Sequence, residues 1–140
     1  MKHKIRTALA FSLDDWTTFT QAWFLLLGID LALRALPFLR VQLFAAQVRT
    51  SRASSHDAAP VIRRLERLID IASRYHLHPM TCLRQALVLQ RLLGERGIRA
   101  DLRIGVRKEN EMLQAHAWVE CGGMVIGESP THVNQFATMI

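Results

Sequence analysis

Between Cys82 and Leu93 apolar side chains surround a helix almost completely: Leu83, Ala86, Leu87, Val88, Leu89, Leu92 and Leu93 leave scarcely a polar stripe. A helix of that kind is stable only at the centre of a fold, covered on several sides, so the rest of the chain has to supply layers around it. Its start is marked too. Pro79 disfavours helical backbone at His78, Thr81 is an acceptable N-cap, and Cys82 falls in the first turn. Gly94 and Gly97 end the helix and turn the chain.

The chain beyond these glycines reads as sheet. From Arg99 to Arg107, Ala100, Leu102, Ile104 and Val106 alternate with Arg99, Asp101, Arg103 and Arg107, the pattern of a half-buried strand. Lys108 to Glu111 is a charged turn into a second strand, Gln114 to Glu120, in which His116 shares a face with Gln114, Trp118 and Glu120. Gly122-Gly123 then allows a hairpin back into a third strand ending at Glu128. Loop length sets the register. A two-residue Gly-Gly turn pairs Cys121 with Met124 and carries Glu128 to the face away from His116. A three-residue loop, Cys121-Gly122-Gly123, pairs Glu120 with Met124 and sets His116 opposite Glu128, within reach of a carboxylate. The three-residue loop is the expectation. Three antiparallel strands beside a buried helix make an α+β fold.

Cys82, His116 and Glu128 are then a thiol, an imidazole and an acid in one crevice. These are the parts of an activated nucleophile, in which the base takes the thiol proton and the acid orients the base. At a helix start a cysteine faces unpaired backbone N–H groups and the positive end of the helix dipole. Both suit an anionic sulfur, and the same N–H groups are candidates for stabilising an oxyanion. For a single cysteine the plainer role is that of a small buried hydrophobe, and Cys121, on the apolar side of its strand, is expected to be one.

Three segments in order carry a family likeness: Cys82-Leu83 opening a Leu-rich helix, Gly97 to Arg107 with its Gly105-Val106, and Ala115-His116-Ala117-Trp118-Val119-Glu120. From about Val61 to the C-terminus the chain resembles the transglutaminase-like cysteine peptidases of lasso-peptide biosynthesis, the leader peptidases found either fused to a precursor-recognition domain or as a separate chain. The resemblance implies a papain or transglutaminase type of core, with Cys82 as nucleophile, His116 as general base and Glu128 as orienting acid. The family more often carries Asp at the last position. It also implies a precursor peptide as substrate, a separate leader-recognition protein as partner with the lasso cyclase as a second candidate, and no cofactor.

Composition narrows the alternatives. With 140 residues, half of them hydrophobic and 21% charged, the chain is long enough for one core and too apolar for disorder. The net charge of +6 comes from 15 Arg against 3 Lys. No nucleic-acid motif accompanies it and aromatics do not interleave with the basic positions, so solvated faces or a peptide-docking surface are the expectation and nucleic acid is not. Two cysteines on different elements, with no secretory signal ahead of them, point to free thiols in a reducing compartment, the cytoplasm. His76 and His78 near Cys82 lack metal-ligand spacing, and no metal is expected.

Residues 1–47 read as a hydrophobic helical region, 48–60 as a polar linker and 61–140 as the catalytic core. Ser12 with Asp15 three residues later marks a helix start. The longest uncharged window, Trp16 to Ile29, is 14 residues, short of the roughly 18 apolar residues of a membrane span. Pro37 should break the helix and Phe38 to Gln47 resume it. Packing on the core is the favoured use of this region, ahead of docking a partner or a membrane surface. Pro60 suits the first position of a helix that keeps apolar spacing from Val61 to Tyr75. A cysteine peptidase is the reading adopted. An acyl transferase on the same scaffold and a non-catalytic peptide-binding module are its rivals; Cys82→Ala separates an enzyme from the binding module, and product masses separate hydrolysis from transfer.

Overall fold

The computed structural model describes residues 11–48, 58–77 and 79–140. The order of elements is α1 (Leu13–Ala35), α2 (Phe38–Ala45), α3 (Ala58–Arg74), α4 (Cys82–Glu95), β1 (Asp101–Glu109), β2 (Met112–Cys121), β3 (Met124–Ile126), α5 (Pro130–Val133) and β4 (Ala137–Thr138). The fold is α+β, with the strands in the order β3-β2-β1-β4.

The Leu-rich helix is central, as its composition demands. Leu87, Val88, Leu92 and Leu93 of α4 are fully buried. They share one core with Ala22, Leu26 and Ile29 of α1, Leu65 and Ile69 of α3, and Leu102, Ala117 and Val119 of the sheet. Truncating any of these leucines to alanine would cost about 2–5 kcal/mol. The N-terminal helices therefore pack on the core, and α1 makes the broadest contact with α3. Ser12 and Asp15 form the expected capping box at the start of α1. Asp15 then takes a 2.7 Å bond from Arg64 Nε that ties α1 to α3. Among the described residues no helix is long and apolar enough to cross a membrane. Of the expected linker, residues 49–57 lie outside those described. α3 starts at Ala58, two residues ahead of Pro60.

The sheet is built from two tight hairpins. β1 and β2 pair from Asp101↔Glu120 to Glu109↔Met112, and the two residues between them, Asn110 and Glu111, both have positive φ (50° and 63°). β2 and β3 pair through Val119↔Ile126, Glu120↔Val125 and Cys121↔Met124. The second loop is thus the two-residue Gly122-Gly123 turn, not the three-residue loop expected. With φ of 59° and 80° the two glycines adopt the left-handed backbone that matches the twist of a tight hairpin and that only glycine reaches without strain.

The sheet has a fourth strand as well. The tail after Glu128 forms α5 and then β4, which pairs with β1 through Gly105↔Thr138 and Val106↔Ala137. Val133 and Phe136 close over Trp118 in a small second core, on the sheet face turned away from α4. Phe136 passes directly over Gly105: a Cβ there would meet Phe136 Cβ at 2.8 Å and the Trp118 ring at 2.9 Å.

Candidate active site

Cys82 is the first residue of α4, with Thr81 at the N-cap in extended backbone. The Thr81 hydroxyl does not cap the helix itself. It accepts a 2.9 Å bond from Arg84 Nη1, and Arg84 Nε donates to Asp30 Oδ1 of α1 at 2.6 Å. Gln85 Nε2 bonds the carbonyl of Met80 at 3.1 Å, tying the first turn to the segment that enters it. The helix start is thus braced from both sides, and Cys82 itself is half-buried.

The thiol opens onto a cleft of ≈ 480 Å³ between α3, α4 and the β2–β3 edge of the sheet. Arg63, Glu66, Arg67 and Asp70 of α3 line one wall, Cys82, Gln85 and Leu89 of α4 the floor, and Ala117, Val119, Ile126, Gly127 and Glu128 the other wall. Burial pushes the Glu66 carboxyl above the ordinary carboxylate range. Its Oε1 is buried without a hydrogen-bond partner.

His116 and Glu128 are joined directly, His116 Nε2–H donating to Glu128 Oε1. In a regular ladder the observed register would carry Glu128 to the opposite face from His116. β3, however, ends at Ile126, and Gly127 follows with φ 76°. This left-handed residue breaks the alternation and swings Glu128 back across the strand edge. The pairing expected from the sequence is therefore present, reached through Gly127 and not through a longer loop. With Nε2 engaged, Nδ1 is the ring nitrogen left to act as a base.

Cys82 and Glu128 line the same cleft, whereas His116 stands on the face of Trp118. Its ring packs 5.3 Å from Phe136 and 5.5 Å from His132, and no hydrogen bond joins it to Cys82. The carboxylate is the element that reaches both sides of the edge.

The remaining candidates separate cleanly. Cys121, expected to be buried, is half-exposed and donates to the Arg99 carbonyl at 3.3 Å. His76 stacks on Trp23 at 4.5 Å and donates from Nε2 to the Trp23 carbonyl at 3.1 Å, a structural role. His78 lies outside the described residues. Sequence reasoning missed Glu66 and His132. The second had a signal in the spacing Glu128-Ser129-Pro130-Thr131-His132, where Pro at the first position of a helical turn sets residues four apart on one side.

A profile described as the Transglutaminase-like superfamily matches residues 23–140, which includes α2 to β4 and most of α1. The chain belongs to the transglutaminase-like superfamily. The likeness read from Cys82, Gly105 and His116 is to this superfamily, and its match extends well ahead of Val61. Among curated proteins, the Microcin J25-processing protein McjB of Escherichia coli is 32% identical over 88 residues, 63% of this chain and 41% of that protein. The chain thus matches less than half the length of that relative. No solved structure matches.

Proposed function

We propose that this transglutaminase-like protein is a cysteine-type endopeptidase that removes the leader segment from a ribosomally made lasso-peptide precursor. The observation that carries the chemistry is the His116–Glu128 hydrogen bond beside a cleft that holds a helix-start cysteine. The superfamily and the microcin-processing relative support the substrate class.

In this mechanism Nδ1 of His116 takes the Cys82 thiol proton as sulfur attacks the scissile carbonyl, and backbone N–H groups at the start of α4 receive the oxyanion. The imidazolium then protonates the departing amine of the core peptide. Water, deprotonated by His116, cleaves the thioester and releases the leader. Glu128 holds the ring and balances the imidazolium charge. To meet the thiol, the imidazole turns about its Cα–Cβ bond past the edge of β2. Ladder pairing with β3 stops at Val119 and Ile126, and Glu128, which already lines the cleft, accompanies the ring. A separate recognition protein delivers the precursor in the cytoplasm, and the freed core passes to the cyclase.

The test is to incubate the protein with a leader-bearing precursor, with and without the recognition protein, and read product masses. Two fragments at the leader–core junction are expected, none with Cys82→Ala or His116→Ala. Undiminished cleavage by Cys82→Ala sinks the proposal, and a product joined to an added amine replaces hydrolysis by acyl transfer.

A further inference from the structure

On the far side of the site, Glu128 has a second neighbour. His132, one helical turn on in α5, holds its Nε2 3.9 Å from Glu128 Oε2. That oxygen is buried and has no hydrogen-bond partner. One donor atom each from His116, Glu128 and His132 lie within 4.8 Å of one another. The two imidazoles meet edge-on, their centroids 5.5 Å apart at 76°, and Phe136 packs against both. We propose that His116, Glu128 and His132 form a binding site for a divalent transition-metal ion of the zinc class.

Two neutral imidazoles and one carboxylate are a donor set that zinc takes with one coordination position left open. Bonds of about 2.0–2.2 Å to tetrahedral zinc put donors roughly 3.3–3.6 Å apart, so His116 Nε2 and Glu128 Oε1, now hydrogen-bonded, move apart, while the wider separations in the set close, by up to roughly 1.5 Å. His132 supplies that movement, because its side chain is 47% exposed while those of His116 and Glu128 are held at 18% and 25%. Arg107, a cation 4.9 Å over the ring of Phe136, is engaged by Glu109 and Gln135. The ion satisfies the orphaned Oε2 and replaces the hydrogen bond between Glu128 and His116 Nε2. It thereby pins the imidazole on the Trp118 face, away from the thiol. Binding stands on this geometry alone, whereas the consequence, reversible arrest of cleavage, rests on the peptidase reading.

Titrating the metal-free protein with Zn²⁺ by calorimetry, and with Co²⁺ by its visible absorption, tests the site without any substrate. One ion per chain is expected, bound by Cys82→Ser as by the wild type and weakened roughly a hundredfold by His132→Ala. Circular dichroism verifies that His132→Ala is folded, and His132→Gln is a second variant that keeps a polar group of similar reach. Equal affinity in wild type and both His132 variants overturns the site, as does loss of binding in Cys82→Ser, which would assign the ion to the thiol. With a cleavable precursor, zinc is expected to arrest the wild type and to spare His132→Ala at the same concentration. A metal-free protein that binds zinc but cuts no precursor removes the peptidase reading and leaves the ion site standing.

Discussion

Asp30, which is buried, and Arg84, which is half-buried, form an ion pair, Arg84 Nε to Asp30 Oδ1 at 2.6 Å, that fastens the first turn of α4 to α1. The same guanidinium holds the Thr81 hydroxyl, so the residue before Cys82 is braced by a carboxylate more than fifty positions away. Burial pushes the Asp30 carboxyl up, but hydrogen bonds and charge from Arg84 and Arg34 outweigh it and hold the carboxyl below its ordinary range. An acid whose folded value lies below its unfolded one stabilises the fold above about pH 4, and that stability is lost as pH falls through the folded value. Asp30→Asn is therefore expected to lower the melting temperature at pH 7 and to converge on the wild type as the pH falls below about 4. A constant difference across that range would remove the ion pair as the cause.

Gly127 sets the direction of Glu128. A Cβ at Gly127 would meet Glu66 Oε1 at 2.6 Å, on a backbone with φ +76°. The left-handed conformation alone costs a non-glycine residue about 1–2 kcal/mol. Gly127→Ala is expected to lose at least that in denaturant unfolding and to lose cleavage through displacement of Glu128. Adding Glu66→Ala removes the clash and leaves the φ cost, so the double variant should recover part of the stability and little of the activity.

How much of this was legible beforehand depends on the length of the pattern that carries each feature. The Leu-rich α4 and the alternation of β1 and β2 repeat over nine or more residues, and periodicity averages out local exceptions. They gave the fold class and put His116 on the face of Trp118. The route to Glu128 hinges on one dihedral at Gly127, and no spacing encodes it. Arguing from parity, a two-residue turn excluded the His116–Glu128 pair. One left-handed residue reverses that parity, so the pair and the two-residue turn coexist. The tail was opaque for the opposite reason: Val133 and Phe136 are too few to show a period, and their burial comes from Trp118 and Gly105 in other strands.

Glu66 faces the cleft without a partner for Oε1, and burial raises its carboxyl above the usual range. For an acid raised in the folded state, stability is fully present below the unfolded value of about 4.3 and is lost as pH rises through the folded one. Glu66→Gln should therefore be more stable than the wild type at pH 7, with the difference vanishing below about pH 4. Thermal unfolding at several pH values measures it. A variant that is less stable at pH 7 would mean that the carboxylate is satisfied in solution.

Glu128 separates reach from charge. Glu128→Gln keeps the length of the side chain and its contact with His116 Nε2, and removes the negative charge that stabilises an imidazolium. A fall in kcat on the order of 10²–10⁴ with KM little changed is expected, as for an orienting acid. Glu128→Asp keeps the charge and withdraws it by one methylene. Because Gly127 fixes the backbone from which residue 128 departs, the shorter acid cannot recover the distance by a shift of register. A smaller loss, about tenfold, is expected, and in the double variant Glu128→Asp should add little to the larger loss caused by Gly127→Ala, since both changes act by moving one carboxylate from one ring. Steady-state cleavage of the precursor by the three variants decides the matter. Should Glu128→Gln cut as fast as the wild type, the carboxylate has no part in the chemistry and its bond to His116 is structural.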